Sequence, residues 1–327
     1  MPKAVRFHEL GGPEVLKIED VTLRDPGEGE VAMKVAAVGL NRAESMYFHG
    51  QYMEQPELPS GLGYEAVGII TAVGRGVGAD LVGRRFGTIP GFSMNRFPAL
   101  AEEAVFPADA LAELPASLSA AQGAAVWMQY ATAYGALVPL GRVGAGDFVI
   151  ITAASSSVGL AAIQIARAQG ATAIATTRTS AKRQQLLELG AHHVIATQEE
   201  DLPARVREIT GGKGARVVFD PVGGDYVNTL AQAVATEGTI YLYGMLSGQP
   251  TSYPMAAFGK GIALIGYTLM QMKTPERLET MKRYIVSRLE DGSFSPRIDR
   301  LFPFADIVDA YRYLESNVQV GKIVVTF

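Results

Sequence analysis

The sequence predicts an α/β fold in which a doubly wound parallel sheet is combined with a mainly β domain. Between about residues 147 and 267, short β-branched apolar runs alternate with helical patterns, which is typical of a parallel sheet. Before residue 122, short strand patterns are separated by turns rich in glycine and proline. Because 327 residues are many for one core, we expect two domains, one formed by residues 1–122 and 268–327 and the other by residues 123–267.

The elements of the first domain are predicted from the alternation of apolar and polar residues and from the turns between these runs. Strands are expected at residues 3–7, 16–21, 30–38 and 64–73, and this spacing favours a barrel or a sandwich. The last 60 residues add a helix at 275–290, a helix near 304–314 and a strand at 322–327, which we expect to return to this domain.

The second domain begins with an alanine-rich helical segment, residues 120–137, preceded by Ser119 as a helix cap. Six strands are expected at 147–152, 171–176, 193–196, 216–220, 238–243 and 262–267. Helices are expected between them at 158–169, 181–189, 201–210 and 225–236. Six strands with intervening helices are what a dinucleotide-binding sheet requires, with the ligand at the carboxyl ends of the strands.

The turn after the first of these strands is the main candidate binding site. It contains only small residues, and a helix start offers free N–H groups and a positive dipole end to a phosphate. Of the fingerprint Gly-x-Gly-x-x-Gly only the third glycine, Gly159, is intact, and Ser156 stands at the second position. An ordinary α/β crossover is the alternative interpretation. The candidate phosphate-binding residues are Ser155, Ser156, Ser157, Val158 and Gly159.

The end of the next strand favours NADPH over NADH. An NAD site usually has an acidic residue about 20 positions after the glycines, where it accepts a hydrogen bond from the ribose 2′-hydroxyl. Here hydroxyls and cations occupy this region, with Thr177, Arg178 and Lys182 as candidates, and no acid precedes Glu188. The alternative is that Lys182 and the neighbouring Arg183 belong to the solvated face of a helix.

Composition and charge exclude several classes of function. A net charge of −4 gives no basic surface for nucleic acid or an anionic membrane, and no apolar run reaches membrane-spanning length. The chain has no cysteine, and of its four histidines only His192 and His193 are close, on a strand where adjacent residues point to opposite faces, so we expect no metal site. A start without a signal-peptide core predicts a cytoplasmic protein.

An ordered series of short motifs resembles the medium-chain dehydrogenase/reductase superfamily, and in particular its zinc-independent quinone oxidoreductase (zeta-crystallin-like) branch. The motifs are Val38–Asn41, Pro59–Gly68, Val73–Gly74, Val158–Ala161, Gly190–Ile195, Phe219–Gly224, Tyr243–Gly244 and Gly321–Val324. The resemblance covers essentially the whole chain. It implies a GroES-like catalytic domain, a Rossmann domain and hydride transfer from NADPH to a quinone or an α,β-unsaturated carbonyl.

The chain departs from its zinc-containing relatives at the ligand positions. In those relatives a cysteine stands at the position of Asn41, and Gly-His-Glu stands where this chain has Gly63-Tyr64-Glu65. Both changes remove ligands, so the resemblance implies a metal-free enzyme. Ser156 and Ser157 also replace two glycines of the family's phosphate turn.

The resemblance also implies the residues around the reacting groups. Asn41 is the first candidate donor to the substrate oxygen, and a turn-capping asparagine is the alternative. Tyr52 matches a tyrosine implicated in proton donation or substrate binding in enoyl-thioester reductases, whereas Tyr47 and Tyr64 are further candidates. On the cofactor side the resemblance implies Thr132 near the carboxamide and backbone contacts after the fifth and sixth strands, from Tyr243, Gly244, Met245 and Leu269.

Several assignments remain open at this stage. Enoyl-thioester reduction and zinc-free alcohol oxidation are alternative activities, and an NADPH-binding structural or RNA-binding protein without turnover is an alternative of a different class. The net negative charge of the chain disfavours the binding of RNA. Glu65, Asp220, His192 and His193 are interpreted as structural. An apolar edge strand at 262–267 predicts a homodimer in which this strand pairs with its two-fold mate.

Overall fold

The computed structural model describes residues 1–327 and divides into two compact units. Unit 1 comprises residues 1–128 and 295–327, and unit 2 comprises residues 129–294. The sequence placed these boundaries at 122 and 268. The helix Pro275–Glu290, which was expected to return to the first domain, is therefore part of unit 2.

The chain forms sixteen strands and ten α-helices. The strands are Lys3–Phe7 (β1), Lys17–Asp20 (β2), Glu30–Gly39 (β3), Ser60–Gly61 (β4), Glu65–Val73 (β5), Arg85–Thr88 (β6), Glu103–Pro107 (β7), Leu111–Ala112 (β8), Phe148–Ile151 (β9), Thr172–Thr177 (β10), His193–Ala196 (β11), Ala215–Asp220 (β12), Val234–Leu242 (β13), Ala263–Gly266 (β14), Ile298–Pro303 (β15) and Lys322–Thr326 (β16). The helices are Arg42–Phe48 (α1), Ala120–Gly123 (α2), Trp127–Gly135 (α3), Ser157–Ala168 (α4), Arg183–Glu188 (α5), Leu202–Ile209 (α6), Tyr226–Ala233 (α7), Met255–Phe258 (α8), Pro275–Glu290 (α9) and Ile307–Ser316 (α10). None of them combines the length and the apolar character that crossing a lipid bilayer requires.

Unit 1 is built around the ten-residue strand β3. This strand pairs in antiparallel fashion with β5, β7 and β16, and it is the centre of a seven-stranded sheet whose path runs β15-β16-β3-β5-β6-β8. A second sheet has the order β2-β1-β4. Aromatic and aliphatic side chains such as Phe7, Met33, Phe48 and Phe106 are fully buried in this unit. The mainly β, GroES-like prediction for this part of the chain is confirmed.

Unit 2 contains one parallel sheet with the strand order β11-β10-β9-β12-β13-β14. Every neighbouring pair is parallel, and the order reverses between β9 and β12. The central strands are apolar throughout because helices cover both faces of such a sheet. Ile150, Ile174, Val218 and Ile240 are accordingly inaccessible to solvent. The prediction of a doubly wound sheet is confirmed.

Several segments differ from the predicted elements. The expected helix at 120–137 is divided into α2 and α3 and ends in a π-helical turn, Ala136–Leu140, that contains Pro139. A proline lacks the N–H that regular helical hydrogen bonding needs, which accounts for the irregular end. Helix α1 was missed because it has only seven residues, and strand β15 was missed because charged and apolar side chains are mixed along its exposed face.

Candidate active site

The turn between β9 and α4 has the geometry of a helix start that approaches a strand closely. The Ser156 hydroxyl accepts a hydrogen bond of 3.0 Å from the Gly159 amide and so caps the helix. A Cβ atom on Gly159 would lie 2.7 Å from Cα of Ala154, so this position requires glycine. Ala153 adopts a left-handed φ of 45°, which costs a non-glycine residue about 1 kcal/mol. The structure thus uses the third glycine of the fingerprint and tolerates strain at Ala153, one residue before the first position.

The first turn of α4 supplies the donors that a phosphate needs. Ser157 and Val158 are its first residues, and the leading N–H groups of a helix have no acceptor inside the helix. Ser155 precedes them, and its hydroxyl accepts a 3.2 Å hydrogen bond from Nζ of Lys182. The structure therefore brings Lys182 to the phosphate turn, away from the solvated helix face that was the alternative.

The other two cations after β10 have different environments. Arg178 is exposed at the end of the strand that Thr177 closes, and its guanidinium makes no hydrogen bond or ion pair. Arg183, in contrast, donates to the Val194 carbonyl at 2.7 Å and pairs with Glu200. Arg178 is thus available to an anionic ligand, whereas Lys182 contacts the phosphate turn and Arg183 stabilises the fold.

An acidic residue that the sequence analysis overlooked lies beside these cations. Oε1 of Glu199 accepts a 2.9 Å hydrogen bond from the Ser180 amide, and this bond lowers the pKa of the carboxyl group. Glu199 follows β11, so a search for an acid between the glycines and Glu188 could not find it. Only the pairing of β10 with β11 identifies it.

The predicted residues after β13 lie next to the phosphate turn. The Tyr243 ring stacks on Phe219 with centroids 4.0 Å apart. Burial and the nearby Asp220 raise the pKa of the Tyr243 phenol, whereas the Ser156 hydroxyl lowers it. A Cβ atom on Gly244 would lie 3.0 Å from the Pro221 carbonyl oxygen, and the side chain of Met245 is half exposed.

Thr132 and Leu269 come from different elements of unit 2. Thr132 is buried in α3, and Leu269 begins a short 3₁₀-helical turn after β14. The Tyr267 hydroxyl, just before that turn, donates to the Ala131 carbonyl at 3.5 Å. The segment that contains Thr132 and the segment that precedes Leu269 are therefore in contact. Asp220 accepts from Thr152 and from the Val222 and Gly223 amides, in agreement with its structural interpretation.

In unit 1, Asn41 caps α1, and both the nitrogen and the oxygen of its side-chain amide form hydrogen bonds. Its Nδ2 donates to the Gly39 carbonyl at 2.9 Å and to Oε1 of Glu44 at 3.0 Å. Its Oδ1 accepts a 2.6 Å hydrogen bond from Nζ of Lys322. Both amide hydrogens are thus donated within the unit, which favours the turn-capping alternative over direct donation to a substrate.

Glu44 was not singled out by the sequence, yet it is the centre of this arrangement. Its carboxylate accepts four hydrogen bonds, from the Asn41 amide nitrogens (N at 2.6 Å and Nδ2 at 3.0 Å), from Tyr64 N at 3.2 Å and from the Tyr311 hydroxyl at 3.1 Å. The side chain is fully buried. Burial raises the pKa of Glu44 to about 7, although the hydrogen bonds and Lys322 oppose that change.

A second buried carboxylate completes the network. Oε2 of Glu65 lies 2.7 Å from Nζ of Lys322, and Oε1 accepts a 3.0 Å hydrogen bond from the Met128 amide. Glu65 and Lys322 are 0% and 1% exposed, so neither charge is solvated by water. Burial raises the pKa of Glu65, and Lys322 counteracts it. The structural interpretation of Glu65 agrees with these contacts.

The three candidate tyrosines separate into a pair and a single residue. The Tyr52 and Tyr64 rings lie 6.3 Å apart, edge to face. Burial raises the pKa of both phenols. At Tyr52 the Tyr64 hydroxyl has the opposite, smaller effect and lowers the pKa. Tyr47 lies elsewhere, with its hydroxyl bonded to Ser60 Oγ at 2.8 Å and to Asn95 Oδ1 at 2.5 Å. Burial raises the pKa of Tyr47 to about 12.

Metal ligands are not grouped in the structure. No cluster of three or more His, Asp or Glu side chains is arranged to hold an ion. The positions that the resemblance identifies with zinc ligands carry the amide of Asn41 and the phenol of Tyr64.

A parallel sheet with reversed strand order and a small-residue phosphate turn is typical of a dinucleotide-binding protein. Residues 27–116 match the family described as "Alcohol dehydrogenase GroES-like domain", and residues 157–286 match "Zinc-binding dehydrogenase". The chain is 33% identical to quinone oxidoreductase 1 of Escherichia coli over 98% of each chain, and 31% identical to the quinone oxidoreductase of Rattus norvegicus over 98% of this chain and 97% of that one. The crystal structure of E. coli quinone oxidoreductase complexed with NADPH has a TM-score of 0.91, 32% identity and coverage of 99% of this chain and 100% of that chain. The chain belongs to the quinone oxidoreductase branch of the medium-chain dehydrogenase/reductase superfamily.

The raised pKa of Glu44 has a consequence for stability. Because the folded state binds this proton more tightly than the unfolded chain does, the contribution of Glu44 to the free energy of unfolding is largest at acidic pH and is lost as pH rises through about 7. Relative to Glu44→Gln, the wild type should therefore lose about 2 to 3 kcal/mol between about pH 5 and about pH 8. Urea denaturation across this range measures the difference, with the exposed Glu14→Gln as a control for charge. A difference that stays constant with pH would contradict the assignment.

Proposed function

We propose that this protein is a zinc-independent, NADPH-dependent oxidoreductase that reduces quinones or α,β-unsaturated carbonyls. The observation that carries the proposal is the position of Lys182, whose Nζ lies 3.2 Å from the Ser155 hydroxyl of the phosphate turn. With the exposed Arg178 at the end of β10, it provides two cations where a 2′-phosphorylated dinucleotide presents its charge. Membership of the quinone oxidoreductase branch supports the same reaction.

The residues of unit 2 fit the proposed cofactor. The close packing of Gly159 on Ala154 holds the start of α4 against the turn, where the Ser157 and Val158 amides can donate to a phosphate. Tyr243, Gly244 and Met245 follow β13 on the same side of the sheet. We propose that these residues hold the nicotinamide half, together with Thr132 and Leu269.

When bound, NADPH supplies a hydride, so the reduction of a quinone or an enone also requires a proton and stabilisation of negative charge on oxygen. We propose that Tyr52 donates that proton. Its phenol is half-buried, and the neighbouring Tyr64 lowers the pKa of Tyr52, which favours the tyrosinate that forms on donation. Tyr47 is a weaker candidate, because Ser60 and Asn95 already hold its hydroxyl.

Asn41 and Glu44 are proposed to act through the tyrosine pair. Glu44 accepts from the Tyr64 amide and from both nitrogens of Asn41, so it fixes the backbone that carries Tyr64. Asn41 in turn is fixed by Lys322. Since Asn41 and Tyr64 replace the cysteine and histidine of the zinc-containing relatives, we propose that the reaction does not depend on zinc. A carbonyl conjugated to a double bond needs less electrophilic assistance than an alcohol, because its developing charge is delocalised.

NADPH oxidation with a panel of quinones and enones is the direct test of the proposed activity. We expect turnover with NADPH at a higher kcat/KM than with NADH, and the same rates after dialysis against a chelator, since no zinc takes part. A loss of activity on chelation that added zinc restores would contradict the zinc-independent mechanism. Binding of NADPH without turnover of any substrate would favour the alternative of a non-catalytic NADPH-binding protein.

The role of Tyr52 is tested by removing one hydroxyl. Tyr52→Phe should lower kcat by about 100-fold, because general acid catalysis contributes at least this much, while the affinity for NADPH stays unchanged. Tyr313→Phe is the matched control, since it removes a phenol that bonds Asp299 in unit 1 and is not part of the tyrosine pair. Full kcat in Tyr52→Phe would show that another group donates the proton.

We further propose that the protein is a homodimer formed through the edge strand β14. This strand pairs only with β13, so its other edge has unpaired N–H and C=O groups. Apolar side chains nearby are exposed, with Met255 at 78%, Phe258 at 69% and Ile265 at 38%. Pairing of β14 with its two-fold mate would satisfy the backbone and cover this surface. A cytoplasmic location stays a prediction from the sequence.

Sedimentation equilibrium tests the dimer. The wild type should sediment with twice the mass of the chain, and Ile265→Lys should shift it towards the monomer, because a buried unpaired charge opposes association. Leu301→Lys is the matched control, since Leu301 is 52% exposed on β15, an edge strand of the sheet in unit 1. A monomeric wild type, or dissociation caused by Leu301→Lys alone, would contradict this interface.

A further inference from the structure

The loop after β11 lies directly against the loop after β10. The Thr197 amide donates to the Thr177 carbonyl and the Gln198 amide donates to the Arg178 carbonyl, each at 2.9 Å. These bonds continue the parallel pairing of the two strands beyond their ends. The side chains of Glu199 and Glu200 are therefore held beside the residues that follow β10.

The side chains of Glu199 and Glu200 have different partners in this loop. Glu200 accepts from the Ala196 amide at 2.8 Å and pairs with Arg183 and Arg205, so its charge is compensated by the fold. Glu199 accepts from the Ser180 amide at 2.9 Å and has no cation as a hydrogen-bond partner. The Arg183 charge acts on Glu199 only through space and lowers its pKa. The Glu199 carboxylate is thus held at the surface against Ser180, which lies in sequence between Arg178 and Lys182, the residues proposed to meet the ribose 2′-phosphate.

A carboxylate in this place acts in opposite ways on the two dinucleotides. A 2′-phosphate carries a charge of about −1.5 to −2 and is repelled by a neighbouring carboxylate. A free 2′-hydroxyl, in contrast, can donate a hydrogen bond to it, which is how an acid at the end of the second strand usually selects NADH. In this chain the acid comes from the loop after the third strand.

We propose that Glu199 is a specificity-determining residue that opposes the 2′-phosphate and so limits the preference for NADPH over NADH that Arg178 and Lys182 create. This inference rests on the proposed binding of NADPH in unit 2. The discrimination is a balance of two cations against one carboxylate. The carboxylate is exposed, so its effect is moderate and is screened by salt.

Isothermal titration calorimetry with NADPH and NADH tests this balance in the full-length protein. Glu199→Gln keeps an oxygen that can accept from Ser180, so the loop should keep its conformation while the charge is removed. We expect the ratio of the NADH Kd to the NADPH Kd to rise by about 3- to 10-fold, with a smaller rise at high salt. Glu188→Gln is the matched control, because this exposed residue at the end of α5 changes the net charge equally and should leave the ratio unchanged.

The outcomes separate this inference from the proposed function. A ratio that is unchanged or lower in Glu199→Gln, with NADPH still bound tightly, would overturn the role of Glu199 and leave the proposed function intact. An equal rise in Glu188→Gln would reduce the effect to net charge and would also overturn it. A wild type that binds neither dinucleotide would overturn the proposed function and this inference together.

Discussion

Unit 2 depends on one constraint, which is that parallel strands all end at the same edge of their sheet. The loops after β9, β10, β11 and β13 are remote in sequence, yet the parallel pairing brings them together. Lys182 reaches Ser155, and Ser180 donates to Glu199, because of this arrangement. The reversal of strand order between β9 and β12 leaves the helix start of α4 open at that edge. The position of the proposed dinucleotide site is therefore set by the topology of the sheet more than by any single residue.

Unit 1 depends on a different constraint, the burial of two carboxylates with one ammonium group. Charges removed from water are tolerated only when partners replace the lost solvation. Lys322 serves both Glu65 and Asn41, and Glu44 uses its four hydrogen bonds to join the starts of α1 and β5 with α10. Such a network orients its members more than it stabilises the fold, because the Coulombic gain is offset by desolvation. The orientation of the Tyr64 backbone, and with it the tyrosine pair, follows from this network.

Each proposed site contains a feature that is energetically costly. Ala153 has a left-handed backbone at the phosphate turn, and Glu44, which accepts from the Tyr64 amide, has a pKa raised to about 7. Such features also occur elsewhere, since Arg142, Glu237 and Asn317 have a left-handed backbone and Glu30 is a buried carboxylate. At the proposed sites, the cost is of the kind that is retained when it positions a ligand or a reacting group.

The sequence by itself determined the fold class, the succession of strands along unit 2 and the family. These features depend on local periodicity and on short motifs, which can be recognised without knowing which residues are in contact in the folded protein. The tertiary structure decided the roles of individual polar residues. Asn41 was predicted as a donor, but Glu44 and Lys322, one close in sequence and one near the end of the chain, occupy its amide. Glu199 escaped notice because its position beside Ser180 depends on which strand pairs with β10. Hydrogen-bond partners and burial are properties of three-dimensional packing, so a sequence can name a polar residue but cannot state what holds it.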